Sequence, residues 1–375
     1  MKILLTGGGS GGHFYPIIAV AQSINTIARE QKLIDIELFY MAPQPYDERL
    51  LFENNITFIK NSAGKVRRYF SILNIIDIFR TGWGTVKAVW QLYWLYPDVV
   101  FGKGGYVSYP ALFAAWFLRI PVVIHESDSV PGKVNIWAGK FARRIAVSYP
   151  DAAAFFKKEK VAFTGNPVRE ELTHPVKDGS HEFLHLEKNL PVILVLGGSQ
   201  GAQLINQVIL DALAQLVEKY QIIHQTGKAN FESVKSTADA ILLTSQFKTR
   251  YMPLDHLNSL TLRMAAGVAD LIISRSGSTI FEIAVWGVPA ILIPIKESSG
   301  DHQRKNAYSY ARSGAAVVVE ENNLTPNLLR LEVDRLIESQ ADRAKMKRAA
   351  EGFARLDSAH LIAQEILTIG LEHEK

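Results

Sequence analysis

The chain has 375 residues and no cysteine, which excludes disulfide bonds and zinc sites built on thiolates. Long hydrophobic runs are also lacking, because the longest uninterrupted one extends only from Ala111 to Leu118. A bilayer-spanning helix needs roughly 20 apolar residues, and no apolar signal segment follows Met1-Lys2. We therefore expect a cytoplasmic protein whose contact with a membrane would be peripheral.

Acidic residues are scarce in the first half of the chain. Residues 1–165 contain 19 lysines and arginines but only 12 acidic residues, whereas residues 166–375 contain 22 and 25. A basic half suits an anionic surface or substrate, although such an excess also occurs in domains that bind nothing acidic. Hydrophobic residues make up 48% of the chain and charged residues 21%, which indicates a soluble globular protein of two or three domains.

Short apolar runs alternate with helix-like stretches, such as Pro16–Glu30 and Tyr109–Leu118, along both halves. This rhythm predicts two doubly wound parallel sheets. The predicted strands are Ile3–Thr6, Ile36–Tyr40, Asp98–Phe101, Val122–His125, Arg144–Val147, Val192–Leu196, Gln221–His224, Leu271–Ser274, Ala290–Pro294 and Ala316–Val319. We expect domains over residues 1–165 and 191–356, a polar linker over 166–190, and a C-terminal helix within 357–375 that packs back on the first domain.

Three glycine-rich turns follow predicted strands. They cover Gly7 to Gly12, Gly102 to Gly105 and Gly197 to Gly201. A strand that ends in glycines and continues as a helix lets backbone N–H groups face an anion without obstruction by side chains. With one such turn near the start of each half, the sequence predicts a phosphorylated ligand held between two α/β domains.

The first turn also has the spacing of a dinucleotide-binding fingerprint, at Gly7, Gly9 and Gly12. A nicotinamide or flavin protein needs an acidic residue at the end of the second strand to bind the ribose hydroxyls. Here that strand is followed by Met41-Ala42-Pro43, so the fingerprint is a weak indication by itself.

Ionisable side chains follow several predicted strands. His13 stands at the mouth of the first glycine turn, where it could act as a general base or bind local carbonyl groups. Glu126 and Asp128 follow another strand and could face a ligand or lie as solvated loop acids. Thr279 and Glu282 are three residues apart, so they fit a helix capping box as well as contact with a nucleotide.

Residues 60–94 combine basic side chains with aromatic and aliphatic ones, and they hold three of the six tryptophans and a single acid, Asp77. Such a mixture suits the headgroup region of an anionic bilayer. The alternative is a pair of amphipathic helices whose apolar side is domain core. Nucleic acid is a poorer candidate, because no nucleic-acid-binding motif accompanies the segment. The expected membrane patch consists of Arg67, Arg68, Phe70, Ile75, Phe79, Arg80 and Trp83, together with Trp116.

In their order and spacing, these motifs resemble the MurG family over nearly the whole chain. The resemblance rests on Gly7 to His13, Gly104 to Ser108, His125-Glu126, Gly165 to Arg169, Gly197 to Ala202, and Ser276-Gly277 with Thr279 and Glu282. That family transfers N-acetylglucosamine from UDP-N-acetylglucosamine to the C4 hydroxyl of N-acetylmuramic acid in lipid I, forming lipid II for peptidoglycan synthesis. The resemblance implies an α/β fold of the GT-B class, with two Rossmann-like doubly wound domains, an interdomain cleft and no nicotinamide.

The resemblance also implies roles for single residues. His13 would be the base of an inverting displacement, with Glu126 as a weaker candidate or as its orienting partner. The first domain would bind lipid I at the cytoplasmic face of the membrane, through Ser10, Gly11, Gly12, Gly104, Gly105 and Asp128. The second would bind UDP-N-acetylglucosamine, through Ser199, Gln200, Gly201, Met252, Ser278, Thr279, Glu282, His302 and Gln303, aided by Arg169 from the domain junction. Other cell-wall synthesis proteins are possible partners.

No metal or other cofactor is expected, because the sequence has no evident paired-acid motif of the kind that holds a divalent ion on a nucleotide-sugar diphosphate.

Three departures from the family pattern are present. The family usually has asparagine at the position of Asp128, the turn from Ser276 to Glu282 is one residue shorter, and the stretch from Tyr251 to Leu271 is longer. Two alternatives therefore stand beside the transferase: a UDP-sugar 2-epimerase of similar fold, and a catalytically silent membrane scaffold. The first would make an epimer without any acceptor, and the second would bind vesicles without transferring sugar.

Overall fold

A computed structural model describes residues 1–33, 35–64, 72–198 and 201–374. The chain divides into two compact units, Met1–Glu170 with Arg355–Lys375 and Glu171–Ala354. Each unit has its own parallel sheet and its own hydrophobic core.

The described residues of the first unit form seven parallel strands in the order β3-β2-β1-β4-β5-β6-β7. The strands are β1 (Lys2–Thr6), β2 (Glu37–Ala42), β3 (Ile56–Lys60), β4 (Val99–Gly102), β5 (Val122–Glu126), β6 (Arg144–Val147) and β7 (Val161–Phe163). The helices are α1 (Gly11–Glu30), α2 (Glu48–Glu53), α3 (Ile72–Leu95), α4 (Tyr109–Phe117) and α5 (Lys133–Ala138). The central strands are buried on both faces, as parallel sheets covered by helices require.

In the second unit, the part of the chain that the structure describes forms six parallel strands in the order β10-β9-β8-β11-β12-β13. The strands are β8 (Val192–Leu196), β9 (Gln221–Gln225), β10 (Tyr251–Leu254), β11 (Leu271–Ser274), β12 (Ala290–Leu292) and β13 (Ala316–Val318). The helices are α6 (Ser180–Phe183), α7 (Gln203–Lys219), α8 (Phe231–Ile241), α9 (Ser259–Val268), α10 (Thr279–Trp286), α11 (His302–Arg312), α12 (Pro326–Glu338) and α13 (Gln340–Phe353).

The last helix, α14 (Ser358–Glu374), packs on the first unit. Its buried side chains, among them Ile362, Ile366 and Leu367, join the core that β1 and α1 form. Since this contact is apolar and extends along the helix, the C-terminal segment is an integral part of the first unit.

The polar stretch expected to be a linker, residues 166–190, is divided between the units. Its first part stays with the first unit up to Glu170. Its remainder packs into the second unit, where Leu172 and Leu184 are buried and the Trp286 indole donates to the Leu172 carbonyl at 2.8 Å. The few apolar residues that anchor this stretch are spread among polar ones, so its composition resembles that of a loop.

Three strands were not predicted: β3, β7 and β10. All three lie at an edge of their sheet. An edge strand has one paired side only and tolerates polar residues, as in the sequence Ile-Thr-Phe-Ile-Lys of β3. It therefore lacks the continuous apolar run that identifies a central strand. The helix α1 begins at Gly11, before the predicted start at Pro16, so Pro16 lies inside the helix.

Among the helices in the described part of the chain, none is both long enough and apolar enough to cross a membrane.

Candidate active site

In each unit the sheet has one point at which the strand order reverses. In the first unit β1 and β4 are neighbours, and in the second β8 and β11 are neighbours. Connections leave such a pair of strands toward opposite sides, so a crevice opens at their carboxyl ends. The turns Gly7 to Ser10 and Lys103 to Gly105 lie at this point in the first unit, and Gly197-Gly198, Gly201-Ala202 and Arg275 to Ser278 lie at it in the second.

The two glycine turns of the first unit contact each other. A Cβ atom placed on Gly7 would lie 2.8 Å from Cβ of Lys103, so a side chain at this position would collide with the next turn. Gly105 has a φ of +77°, and a Cβ atom there would lie 3.6 Å from Nε2 of His13. His13 is therefore held against the backbone of the second glycine turn, with Ser10, Gly11 and Gly12 at the start of its helix.

Glu126 is the last residue of β5 and only 3% exposed. Its carboxylate accepts hydrogen bonds from the Asp128 and Gly132 amides, each at 3.0 Å, and from Nδ2 of Asn135 at 2.9 Å. Burial, aided by the Asp128 charge, raises the pKa of Glu126 to about 7. Glu126 is thus not the solvated loop acid that one alternative predicted, whereas Asp128 is half-buried.

The sequence reasoning missed a buried cation at the centre of this region. Lys103 follows β4 and is 0% exposed, and its Nζ donates to Nδ1 of His125 at 2.7 Å, to Oδ1 of Asn166 at 3.1 Å and to Oγ of Ser127. Burial lowers the pKa of Lys103 below its usual value, while the charges of Glu126 and Asp128 act in the opposite direction and favour the ammonium form. A lysine inside a glycine turn at the end of a buried strand is the signal that could have revealed it.

His125 in β5 is also fully buried, and its ring lies between Lys103 and the Gly165 carbonyl. Because its Nδ1 accepts from the lysine, its Nε2 carries the proton and donates to the Gly165 carbonyl at 2.9 Å. Burial and the Lys103 charge hold the pKa of His125 well below its usual value. The imidazole is therefore a neutral link with a fixed tautomer.

Arg169 belongs to the first unit, although it was expected to assist with the donor diphosphate. It is 7% exposed, and its guanidinium lies 4.3 Å above the ring of Tyr15. Tyr15 is two residues after His13 on α1, so this stacking contact places Arg169 close to the first glycine turn.

In the second unit, the glycine turn after β8 has a backbone that only glycine fits at Gly201. With a φ of +73°, a Cβ atom there would lie 2.4 Å from Nδ2 of Asn230 and 2.6 Å from the Thr226 carbonyl oxygen. Ser199 and Gln200, which were expected to bind the donor phosphates, lie outside the described residues.

A buried polar network supports this turn. The Tyr251 hydroxyl donates to Nδ1 of His224 at 2.8 Å, and Nε2 of His224 donates to Oδ1 of Asn206 at 3.0 Å. The Asn206 amide then donates to the Thr226 carbonyl, also at 3.0 Å. Burial lowers the pKa of His224 to about 3, so the neutral imidazole is the form that the network holds.

The turn before α10 contains the expected nucleotide contacts. Ser278 is the N-cap, and within the described part of the chain its side chain makes no capping hydrogen bond. Thr279 is the first helical residue, so the capping-box alternative for Thr279 and Glu282 is wrong: a box requires the hydroxyl residue at the N-cap itself. The side chains of Thr279 and Glu282 are half-buried and share one side of the helix.

His302 and Gln303 open α11 after a left-handed pair of residues, Gly300 and Asp301. Oε1 of Gln303 accepts from the Ile295 amide at 3.2 Å, which ties the helix start to the loop after β12.

Met252 lies within the edge strand β10 and packs partly against the core. Part of its side chain thus packs in the core, and its strand is two positions away from β8, which the glycine turn follows.

One side of α3 exposes a row of large apolar side chains, here named the aromatic face: Phe79, Trp83, Val86, Trp90 and Trp94, each at least 64% exposed. Their spacing of three or four residues aligns them along a helix of about 36 Å.

Arg80 is exposed and pairs with the buried Asp77 at 3.4 Å. Trp116 on α4 is also exposed. Of the other expected patch residues, Arg67, Arg68 and Phe70 lie outside the described residues, as does the side chain of Ile75.

Within the described part of the chain, no group of three or more histidine, aspartate or glutamate side chains could hold a metal ion.

Comparison with known proteins gives two matching family models. Residues 3–147 match the glycosyltransferase family 28 N-terminal domain, and residues 192–362 match the glycosyltransferase family 28 C-terminal domain. The matched segments contain the glycine turns of both units.

Curated relatives match nearly the whole chain. A UDP-N-acetylglucosamine--N-acetylmuramyl-(pentapeptide) pyrophosphoryl-undecaprenol N-acetylglucosamine transferase of Bacillus thuringiensis is 37% identical over 89% of this chain and 91% of its own length. A protein of the same name from Treponema denticola is 34% identical over 87% of this chain and 85% of its own length.

Solved structures show the same fold. Acinetobacter baumannii MurG, at 25% identity, superposes with a TM-score of 0.71 over 98% of this chain and 99% of its own. A UDP-GlcNAc 2-epimerase from Neisseria meningitidis, at 16% identity, has a TM-score of 0.67 over 98% and 100% of the two chains. At that identity the epimerase shares the fold alone, so the epimerase alternative gains no further support.

The predicted GT-B class, with its two Rossmann-like domains, is confirmed by these matches. The predicted enzyme class, a glycosyltransferase, is confirmed by the relatives and by the family models. The chain belongs to glycosyltransferase family 28 and, within it, to the MurG family that its motifs resemble.

Proposed function

We propose that this enzyme transfers N-acetylglucosamine from UDP-N-acetylglucosamine to the C4 hydroxyl of N-acetylmuramic acid in lipid I, forming lipid II and releasing UDP. The observation that carries this proposal is the match, over most of the chain, to relatives named for this reaction. The acceptor oxygen attacks the anomeric carbon from the face opposite the departing diphosphate, so the configuration at that carbon is inverted.

His13 is the proposed general base. It is half-buried beside Gly105 at the crevice of the first unit, where an imidazole can accept the proton of a bound hydroxyl. Glu126 is less suited to this role, because its carboxylate already accepts three hydrogen bonds from its own loop and from Asn135. We assign Glu126 to holding that loop, with Asp128, Gly104 and the start of α1 facing the acceptor.

The second unit is the proposed donor site. Backbone amides at Gly201 and at the start of α10 would face the UDP phosphates, because both lie where the strand order of the sheet reverses. Thr279 and Glu282 would bind the nucleotide, while His302 and Gln303 would bind the sugar. These groups stabilise the charge of departing UDP electrostatically, with help from Arg169. We propose that no metal ion takes part.

The aromatic face, with Arg80 and Trp116, is the proposed contact with the anionic cytoplasmic membrane surface. Exposed tryptophans suit the boundary between headgroups and acyl chains, and arginine suits the lipid phosphates. A peripheral enzyme held in this way meets an acceptor whose undecaprenyl chain stays in the bilayer. The cell-wall synthesis proteins expected as partners remain a prediction.

A transfer assay with radiolabelled UDP-N-acetylglucosamine and a lipid I analogue tests this function. We expect labelled lipid II at equal rates with and without a chelator, and a loss on the order of a hundredfold or more in kcat for His13→Ala. His360→Ala, which removes an exposed histidine from the same unit, is the matched control and should keep the wild-type rate.

Three results would contradict the proposal. An epimer of the sugar nucleotide formed without acceptor would favour the epimerase, and vesicle binding with no sugar chemistry would favour the scaffold. If both His13→Ala and Glu126→Ala transferred sugar at the wild-type rate, the protein would still be the proposed transferase, but neither residue would be its general base.

A further inference from the structure

Lys103 is a fully buried cation with a complete set of partners. A protonated lysine has three N–H donors, and the Nζ of Lys103 has three acceptors: His125, Ser127 and Asn166. The three come from the end of β5, from the loop after it, and from the segment after β7. One ammonium group thus joins three pieces of chain that are up to 63 residues from it in sequence.

Such a group is not an obvious contribution to stability. Burying an ammonium ion costs several kcal/mol of hydration, which its hydrogen bonds offset only when their geometry is good. An apolar side chain of the same length would fill the space without this cost. Core packing therefore does not explain why position 103 is a lysine.

Each partner of Lys103 leads to a candidate site residue of the first unit. Ser127 stands between Glu126 and Asp128, and Asn166 begins the segment that ends at Arg169. Lys103 itself precedes Gly104 and Gly105, whose backbone abuts His13 and Asn135. The loops that carry the candidate groups of the first unit thus meet at one atom.

We infer that Lys103 is a positioning residue for the transfer reaction: its ammonium group fixes the Glu126–Asp128 loop and the Asn166–Arg169 segment relative to the glycine turn that abuts His13. This inference rests on the proposed function. Lys103 touches no substrate, since its side chain is wholly enclosed. Its effect is on the placement of groups that do.

Lys103→Met is the direct test, because methionine has a similar length and neither charge nor N–H groups. We expect kcat of the transfer assay to fall on the order of a hundredfold, as displaced reacting groups cause, while the KM for UDP-N-acetylglucosamine stays within about threefold. The control is Lys160→Met, which removes a lysine whose Nζ donates to the Ala142 carbonyl at 2.8 Å, next to the edge strand β7. It should keep the wild-type kcat.

Two further readouts separate positioning from a loss of folding. In Lys103→Met, the ¹⁵N resonance of His125 Nδ1 should move, because that atom loses its donor. Asn166→Leu should also lower kcat, and the double variant Lys103→Met/Asn166→Leu should lose no more than Lys103→Met alone, since both changes break the same link. If Lys103→Met does not fold, Asn166→Leu and Ser127→Ala carry the test, each with an expected several-fold loss of kcat.

Wild-type kcat in Lys103→Met, or in both Asn166→Leu and Ser127→Ala, overturns the inference. So does a double variant whose losses multiply. A wild-type protein that transfers no sugar refutes the proposed function instead, and the two failures are thereby distinguished.

Discussion

His224 shows how one buried side chain couples the second unit to pH. Both ring nitrogens have protein partners, Tyr251 and Asn206, and burial of the ring favours the neutral imidazole, in which Nδ1 accepts and Nε2 donates. The network lies beneath the glycine turn of the proposed donor site, because Asn206 in turn holds the Thr226 carbonyl against which Gly201 packs. Protonating the imidazole would therefore disturb the support of that turn.

The sign of the pH effect follows from the lowered pKa. The folded pKa is about 3 and the ordinary value is 6.5, so between these values the unfolded chain binds a proton that the folded unit excludes. Stability is therefore lost as the pH falls from 6.5 toward 3, by about 4 kcal/mol at pH 3. His224→Gln keeps a donor and an acceptor but cannot titrate, so its stability should depend less on pH in this range.

Hydrogen exchange in increasing urea, followed on peptides that cover β9, measures this prediction in the whole protein without assuming that both units unfold together. His360→Gln, at an exposed site in the other unit, should leave the pH dependence unchanged. If the free energy of unfolding changed with pH equally in the wild type and in His224→Gln, His224 would have its ordinary pKa in the folded unit.

At the scale of elements, central strands and glycine turns could be predicted from the sequence, because a strand buried on both faces must be apolar throughout and the glycines that follow it stand next to one another. The edge strands β3, β7 and β10 could not, because pairing on one side imposes no such pattern, whereas the edge strand β13 carries the apolar run Ala316 to Val319 and was predicted. The position of Lys103 carries a signal in the sequence, but its partners could not be predicted, since Asn166 is 63 residues away. Nor does composition distinguish the apolar side of α3 that is core from the side that is exposed.

The aromatic face of α3 leads to a prediction about membrane binding. Trp83→Ser/Trp90→Ser should fold as the wild type does, because both side chains are at least 64% exposed, but should bind phosphatidylglycerol vesicles at least tenfold more weakly, since inserted indole rings supply much of interfacial affinity. Sedimentation with vesicles measures the binding. Leu243→Ser/Phe183→Ser, which removes exposed apolar residues from the second unit, is the matched control.

Raised salt should weaken the remaining binding of Trp83→Ser/Trp90→Ser, because arginine contacts with anionic lipid are screened. Unchanged vesicle binding by this variant would argue against the membrane role. An oligomer of the wild type that the same two substitutions dissociate would show instead that another copy of the chain covers the aromatic face.

At the scale of the whole molecule, the two units divide the proposed reaction between them, and ligand binding should report that division. A ligand stabilises the region that it contacts in the folded state. UDP should therefore slow hydrogen exchange in peptides around Gly201 and around Thr279 to Glu282, while peptides around Gly7 to His13 exchange as before. Protection confined to the first unit would overturn the assignment of the donor site.

A pair of glycine substitutions sharpens the same experiment. Gly201 and Gly179 both lie in the second unit with nearly equal φ, +73° and +74°, but a Cβ atom at Gly179 would meet no described atom within 4 Å. Gly179→Ala therefore carries the backbone strain alone, roughly 1 kcal/mol, whereas Gly201→Ala adds the collision with Asn230 and the Thr226 carbonyl. UDP protection should survive in Gly179→Ala and be lost in Gly201→Ala at the same UDP concentration, because only the second change deforms the turn that we propose as the phosphate site.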